Sequence, residues 1–236
     1  MDSRFEREAM LIGEDSVELL GKSCVALFGV GGVGSYAAEA LARCGVGKIV
    51  LIDHDRVSKS NINRQLCALE STVGSPKVQV VGARLRDINP NAEIVERQEF
   101  FLPENSHEFD FSEYVFVIDA IDTVSGKLEI ARLATESGTP MISCMGTGNK
   151  LDPTAFRVTD ISKTSVCPLA RTVRTLCRKH GIKKLRVLWS DEEPSGSTLP
   201  DANGRNVPGS ISFVPSVAGL MIAGEVVRTL AAREQA

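Results

Sequence analysis

The sequence predicts an α/β fold: a Rossmann-like, doubly wound, mainly parallel sheet with helices on both faces. Three observations predict it. Short apolar, β-branched stretches alternate with helical stretches of ten or more residues. A glycine-rich turn, Gly29-Val30-Gly31-Gly32-Val33-Gly34, joins the first apolar stretch to the first helix. The second apolar stretch ends on an acid, Asp53.

The first element is Ser23 to Val30 (SCVALFGV), apolar on alternate and intervening positions alike, the pattern of a strand buried on both faces. After Gly34, SYAAEALARCG has the small and aliphatic residues of a helix packed closely on a sheet, and Gly45 ends it. KIVLID, 48–53, is a second buried strand, which completes a βαβ unit. Further strands are predicted at 92–98, 114–119, 139–144, 155–159 and 184–189, and helices at 76–88, 125–137, 168–180 and 216–232. Right-handed crossovers are expected between the parallel strands. The stretch 190–210, dense in Gly, Pro, Ser and Asp, lacks a hydrophobic period and is predicted to be a long mobile loop. It interrupts one domain of 1–236, with a nucleotide-binding half at about 20–145 and a substrate-facing half at about 146–236.

Composition narrows the function classes. With 43% hydrophobic and 24% charged residues in 236, the chain can bury a core, so disorder and fibrous repeats are excluded. No run reaches the roughly 18 apolar residues of a membrane span, and the opening ten residues carry five charges where a secretory signal is apolar. A soluble, cytoplasmic protein without membrane partners is the expectation. The six cysteines (24, 44, 67, 144, 167, 177) include no CxxC pair and read as reduced thiols, neither a disulfide frame nor a zinc site. The net charge of −3 hides an asymmetry: 161–190 holds eight basic residues and no acid, which leaves −11 on the remainder.

Glycines 29, 31 and 34 match G-x-G-x-x-G between a strand and a helix, where bare backbone lets phosphate oxygens approach N–H groups at a positive helix end. Asp53 stands where a carboxylate accepts hydrogen bonds from ribose hydroxyls. NAD and ATP fit these features equally well. The residues beyond Asp53 separate the two nucleotides. Asn61, Asn63, Arg64 and Gln65 crowd within five positions, and Lys77 begins a helix after Pro76. Arg64, Lys77 and the helix dipole suit a triphosphate better than a pyrophosphate bridge, and can stabilise charge that grows as the α-phosphate is attacked. Both side chains are expected on exposed positions. Asp119 and Asp122, in VIDAIDT, end a strand at the ligand-binding sheet edge, where a carboxylate can hold Mg²⁺ against phosphates. Asp122 is assigned to the metal, and Asp119 is left open between ligand and structural roles.

GVGGVG, the acid at Asp53, NINRQ, the GxxK ending at Lys77 and DAID at 119–122 together resemble the ATP-binding core of ubiquitin-activating-type (ThiF-type) adenylyltransferases. The resemblance covers about 4–229 and implies that a carboxylate attacks ATP to give an acyl adenylate. On that basis the nucleotide is held by Gly29, Gly31, Gly32, Gly34, Asp53, Asp55, Asn61, Arg64, Gln65, Lys77 and Asp119, with Arg64, Lys77 and Asp122 catalytic. The opening R-F-E-R resembles the family's N-terminal motif, whose second arginine, here Arg7, reaches the partner's ATP in a homodimer. Within the family, DPTAFRVTDISKT at 152–164, PLA at 168–170 and the late FVPSVAGLMIAGEVV are similar to the branch of tRNA threonylcarbamoyladenosine dehydratases. That branch implies ATP and Mg²⁺, a modified tRNA substrate and cyclisation of its threonylcarbamoyl arm. A monovalent cation, K⁺ or Na⁺, could bind the loop of Gly146, Thr147, Gly148 and Asn149, and a cysteine desulfurase or sulfur-acceptor system is a further candidate partner.

The basic segment fits an RNA partner. In the helix from Pro168, Arg171, Arg174 and Arg178 fall on one face and Leu169, Val173 and Leu176 on the other; Lys179, Lys183, Lys184 and Arg186 continue the charge. Cys167, at that helix's start, and Cys144, at a strand end, are weak candidates for a nucleophile. His54, His107 and His180 form no motif. The alternatives are an adenylyltransferase for a ubiquitin-like sulfur carrier, an NAD-dependent oxidoreductase, and a scaffold that retains a nucleotide site.

Overall fold

A computed structural model describes residues 2–196, 198–200, 204 and 206–232. Two helices precede the sheet, α1 (Glu6–Ile12) and α2 (Glu14–Lys22). The sequence did not announce them: α1 buries no residue and α2 buries only Ser16, Val17 and Leu20, too few for a period to show. Then come β1 (Cys24–Phe28), α3 (Gly34–Arg43), β2 (Lys48–Ile52), α4 (Lys77–Ile88), β3 (Glu93–Arg97), β4 (Phe116–Asp119), α5 (Val124–Ser137) and β5 (Met141–Cys144). After them are β6 (Phe156–Asp160), α6 (Pro168–Lys179), β7 (Arg186–Ser190), the short strands β8 (Thr198–Pro200) and β9 (Asn206–Pro208), and α7 (Phe213–Ala231).

The main sheet has seven strands in the order β3-β2-β1-β4-β5-β7-β6. All pair in parallel except β6, which runs antiparallel to β7. Both faces are buried, which is why these strands read as continuous apolar runs. On one face Val25, Leu27, Ile49, Leu51, Phe116 and Ile118 pack against residues of α3, α4 and α7. On the other, Ala26, Phe28, Val50, Ile52 and Val117 meet α5 and the aromatic group Phe101, Phe109 and Phe111. A third cluster joins Met145, Val187 and Trp189 to Ala170, Val173 and Cys177 of α6. The helix α7 is long and apolar enough, by length and composition, to cross a membrane, but half of that window is buried here against the sheet and α3.

The chain turns to opposite faces of the sheet after the neighbouring strands β1 and β4, and this switch point at the carboxyl edge is where open α/β sheets bind ligands. The predicted loop 190–210 is not irregular throughout. Its described residues include an antiparallel hairpin, in which Leu199 faces Val207. The base of the hairpin is tied down by Asn149, whose N–H donates to the Gly209 carbonyl (2.7 Å), whose Oδ1 accepts from Gly209 N (2.6 Å) and whose carbonyl accepts from Ser195 N (2.9 Å). Expectations about 197, 201–203 and 205 fall outside the described residues.

Candidate active site

The glycine turn is built by close approach. Gly29 has φ +90°, and a Cβ there would lie 2.7 Å from the Ala120 carbonyl oxygen, so β1 and β4 meet through bare backbone. A Cβ on Gly34 would lie 1.8 Å from the Gly29 oxygen, which only glycine avoids. The turn delivers the chain into α3, whose first residues receive no side-chain cap. A positive helix end without a side-chain cap, flanked by the half-exposed Gly31 and Gly32, is an arrangement that can accept an anion.

Asp53 lies just past β2 and is buried. Its Oδ2 accepts from Val30 N at 2.7 Å and its Oδ1 from Asp55 N at 2.8 Å. It thereby locks the glycine turn to the second strand, and each oxygen retains a lone pair for a hydroxyl. The NINRQ segment folds back over the turn: the Arg64 carbonyl lies 3.6 Å from where a Gly32 Cβ would sit, and Gln65 Nε2 the same distance from a Gly31 Cβ. Asn61 is buried, and its Oδ1 accepts from Ser58 N, which holds the segment's first turn. Arg64 is half-buried, and its Nη1 donates to the Ser60 carbonyl (2.8 Å) and Asn63 Oδ1 (3.0 Å). No carboxylate pairs with it among the described residues, and desolvation lowers its affinity for its proton. A guanidinium partly out of water without a counter-ion is a strong attractor for phosphate.

Lys77 departs from expectation. It is the first residue of α4, as predicted, but it is buried, at 4% exposure, and its Nζ contacts Asp55 Oδ2 at 2.7 Å. Asp55 also lies 3.1 Å from His54 Nε2, and the His54 ring packs tilted against Phe100 with centroids 4.2 Å apart. Asp55 is therefore first a partner of Lys77, and any phosphate contact by Lys77 is made beside that carboxylate.

The two acids after β4 have separate fates. Asp119 is fully buried, its carboxylate 3.0 and 3.1 Å from Lys127 Nζ and hydrogen-bonded to Ser143 Oγ and Ile121 N. Lys127, equally buried, also donates to the Cys144 carbonyl at 2.8 Å. This closed cluster has no surface to offer a nucleotide, so Asp119 positions the β4 loop rather than touching a ligand. Asp122 is exposed and makes no hydrogen bond or ion pair among the described residues. A carboxylate without a partner among the described residues, in the loop that meets the glycine turn, is a hard donor of the kind Mg²⁺ takes, so its chemistry fits that ion.

Other expected residues lie elsewhere. Arg7, exposed on α1, is at the end of the molecule where α3 finishes, since Phe5 packs on Gly45. A helix of ten residues, about 15 Å, separates it from its own glycine turn. Cys144 is buried, and burial pushes its thiol up to about 12, which removes it as a thiolate nucleophile. Cys167 is buried at the start of α6, near Gly146. In the loop 146–149 the Asn149 carbonyl already accepts from Ser195, which leaves only three of the four carbonyls for any cation.

On α6 the inward stripe is Ala170, Val173 and Cys177, with Leu169 and Leu176 half-buried at its margins. Arg174 is not an outward charge: it is half-buried and its Nη1 donates to the Thr164 carbonyl at 2.8 Å. Arg186 is likewise engaged, 3.3 Å from Glu225 and bonded to Thr229. Arg171, Arg178, Lys179, Lys183 and Lys184 are exposed and unpaired among the described residues.

Sequence reasoning missed Lys127 and the tether of Asn63, whose Nδ2 donates to the Ser210 carbonyl at 3.0 Å. Lys127 carried a signal: with Ile130, Ala131 and Ala134 it completes an i, i+3, i+4, i+7 stripe, and a lysine on a core stripe requires a buried acid. The Asn63 tether carried none, since its partner lies 147 residues away.

The model of the ThiF family matches residues 5–236. A Bacillus subtilis protein named tRNA threonylcarbamoyladenosine dehydratase is 45% identical over 239 residues, spanning 96% of this chain and 94% of its own. An Escherichia coli protein of the same name is 41% identical over 171 residues, 72% of this chain and 64% of that one. The crystal structure of the E. coli enzyme in complex with ATP superposes with a TM-score of 0.89 at 33% identity, covering 98% of this chain and 95% of that one.

Proposed function

Since this chain belongs to the ThiF family, we propose that it is an ATP-dependent tRNA threonylcarbamoyladenosine dehydratase that works through an acyl adenylate. The observation that carries this is the half-buried Arg64, without an acid partner among the described residues, whose carbonyl lies over the glycine turn before the uncapped start of α3; Lys77 begins α4, and Asp122, unpaired among the described residues, follows β4. These groups match a triphosphate and a metal, and the relatives bearing this name share the fold over nearly the whole chain.

The substrate carboxylate is a poor electrophile until one oxygen can leave. It attacks the α-phosphorus of ATP, a P–O bond forms, and pyrophosphate departs. Negative charge grows on the bridging and non-bridging oxygens, where Arg64, Lys77 and the N–H groups at the start of α3 donate. Asp53 accepts from the ribose and, through Val30 N, keeps those N–H groups in register. Asp122 would hold Mg²⁺, and the ion would supply neutralisation of the phosphate charge. The threonylcarbamoyl arm then closes on the acyl carbon, AMP leaves, and the product is the cyclic form of threonylcarbamoyladenosine. The net change is loss of one water coupled to ATP cleavage. Closure is intramolecular, so positioning supplies much of its rate without a protein nucleophile, in keeping with the buried thiols of Cys144 and Cys167.

The protein acts as a homodimer in which Arg7 of each copy serves the other's site, and it acts in the cytoplasm, where tRNA is. The reaction moves no sulfur, so it gives a desulfurase partner no chemical role; a monovalent cation would take the carbonyls of Gly146, Thr147 and Gly148, which Ser195 leaves open. Carrier-protein activation is disfavoured: all six cysteines are free, and none joins a group of potential metal ligands among the described residues. The test is incubation with ATP, Mg²⁺ and threonylcarbamoyl-modified tRNA, and then nucleoside mass analysis. Loss of one water is expected; an unchanged nucleoside beside an ATP-binding protein would refute the proposal.

A further inference from the structure

Five exposed cations, Arg171, Arg178, Lys179, Lys183 and Lys184, have no acid or acceptor among the described residues. Charges of one sign that share a surface without counter-ions repel, a cost that a polyanion removes. Their arrangement is directional. Arg171 and Arg178 are seven residues apart, two turns, so they lie on one stripe about 10 Å apart, with the exposed Thr175 between them. Lys179, Lys183 and Lys184 continue past the end of α6 toward the start of β7. At the other end α6 begins against the catalytic edge: a Cβ on Gly146, just beyond β5, would lie 3.7 Å from Cys167 Sγ and 4.0 Å from Leu169 Cβ.

Neighbouring acids bound the track without entering it. Asp160 accepts from the N–H groups of Ser162 and Leu185, and Glu225 is paired with Arg186 and Arg228. Arg174 and Arg186, which sequence alone would include, are held by Thr164 and Glu225 and are left out.

We propose that this track is the docking surface for the helical stem of the substrate RNA, running from the active-site edge down the outer face of α6. The inference rests on the reading that the substrate is a modified tRNA. A 12-residue helix is about 18 Å long, on the order of five base-pair steps, so it can track phosphates of one stem strand while the modified nucleotide reaches the carboxyl edge of the sheet. Side chains of this type read A-form shape and backbone charge, with little sequence preference.

The experiment uses the full chain with Arg171→Ala, Arg178→Ala, Lys183→Ala and the triple variant; Lys22→Ala, an exposed lysine on the opposite helical layer, is the control. Filter binding of threonylcarbamoyl-modified tRNA is measured against salt, beside KM for tRNA, KM for ATP and kcat. Each single change is expected to raise Kd and KM for tRNA about three- to tenfold and to lower the salt slope by about one, with KM for ATP, kcat and Tm unchanged. The control should match wild type. A triple variant whose tRNA affinity and salt slope stay within twofold of wild type overturns the track, whatever the activity. Wild type that binds tRNA through these residues yet removes no water leaves the track standing and refutes the proposed reaction instead.

Discussion

Arg64 keeps its charge partly out of water with only neutral oxygens around it, and that exposes it to a simple experiment. Arg64→Ala should lower kcat by about 10²–10³, the usual cost of removing one preorganised donor to a developing oxyanion, while Tm stays close to wild type. Single-turnover kinetics with modified tRNA checks it, and near-normal turnover would reassign the phosphate contact. Asp122→Asn tests the metal: stimulation by Mg²⁺ should disappear and kcat should fall at least ~10²-fold, while calorimetry still records ATP binding. Retained Mg²⁺ dependence would place the ion on another residue. Lys77 is unsuited to so clean a test, because it is buried against Asp55 and its truncation would strand that carboxylate.

The β4–α5 connection shows how an element presents a residue. Lys127 reaches from α5 to Asp119 at the end of β4 and to Ser143 and the Cys144 carbonyl of β5, fixing both strands to the helix between them. The loop carrying Asp122 is strung between these fixed points. Removing one partner leaves a buried uncompensated charge, so Lys127→Met is expected to cost about 3–5 kcal/mol. At about 2–4 °C per kcal/mol for a chain of this size, Tm should fall by roughly 6–20 °C. Adding Asp119→Leu to Lys127→Met should recover much of that loss, since the orphaned carboxylate is gone. A double variant no more stable than the single one would contradict the ion-pair account. VIDAIDT assigned Asp122 to the metal but left Asp119 open, because a three-residue spacing does not tell which carboxylate faces the core. The same limit applies on α6, where Arg174 shares a helical stripe with Arg171 and Arg178 and only Thr164 withdraws it from the surface.

At the scale of the whole molecule, Arg7 is stranded far from its own glycine turn, and the proposed dimer makes a quantitative demand. Arg7→Ala and Arg64→Ala should each be inactive alone. Mixed one to one and allowed to exchange subunits, they should recover about a quarter of wild-type activity, because half the dimers are mixed and each of those holds one intact site. No recovery under conditions of proven exchange would mean that Arg7 acts elsewhere. The Asn149 and Asn63 tethers are also whole-molecule features: they bind the hairpin and its exit to two loops of the active edge, joining 149 to 195 and 209, and 63 to 210.

From β1 to β7, and again at α7, the order of strands and helices was legible in the chain itself, as were the mainly parallel sheet and the glycine turn, because doubly buried strands and a glycine turn before a helix write their physics into adjacent residues. Arg64 and Asp122 were legible as residue types at a sheet edge for the same reason. Only the tertiary structure decided that Lys77 is buried, that Asp119 is closed off by Lys127, that Arg174 and Arg186 leave the basic surface, and that 190–210 contains a tethered hairpin. Each of these depends on a partner brought close by folding, and burial and pairing are properties of neighbours in space that local sequence does not record.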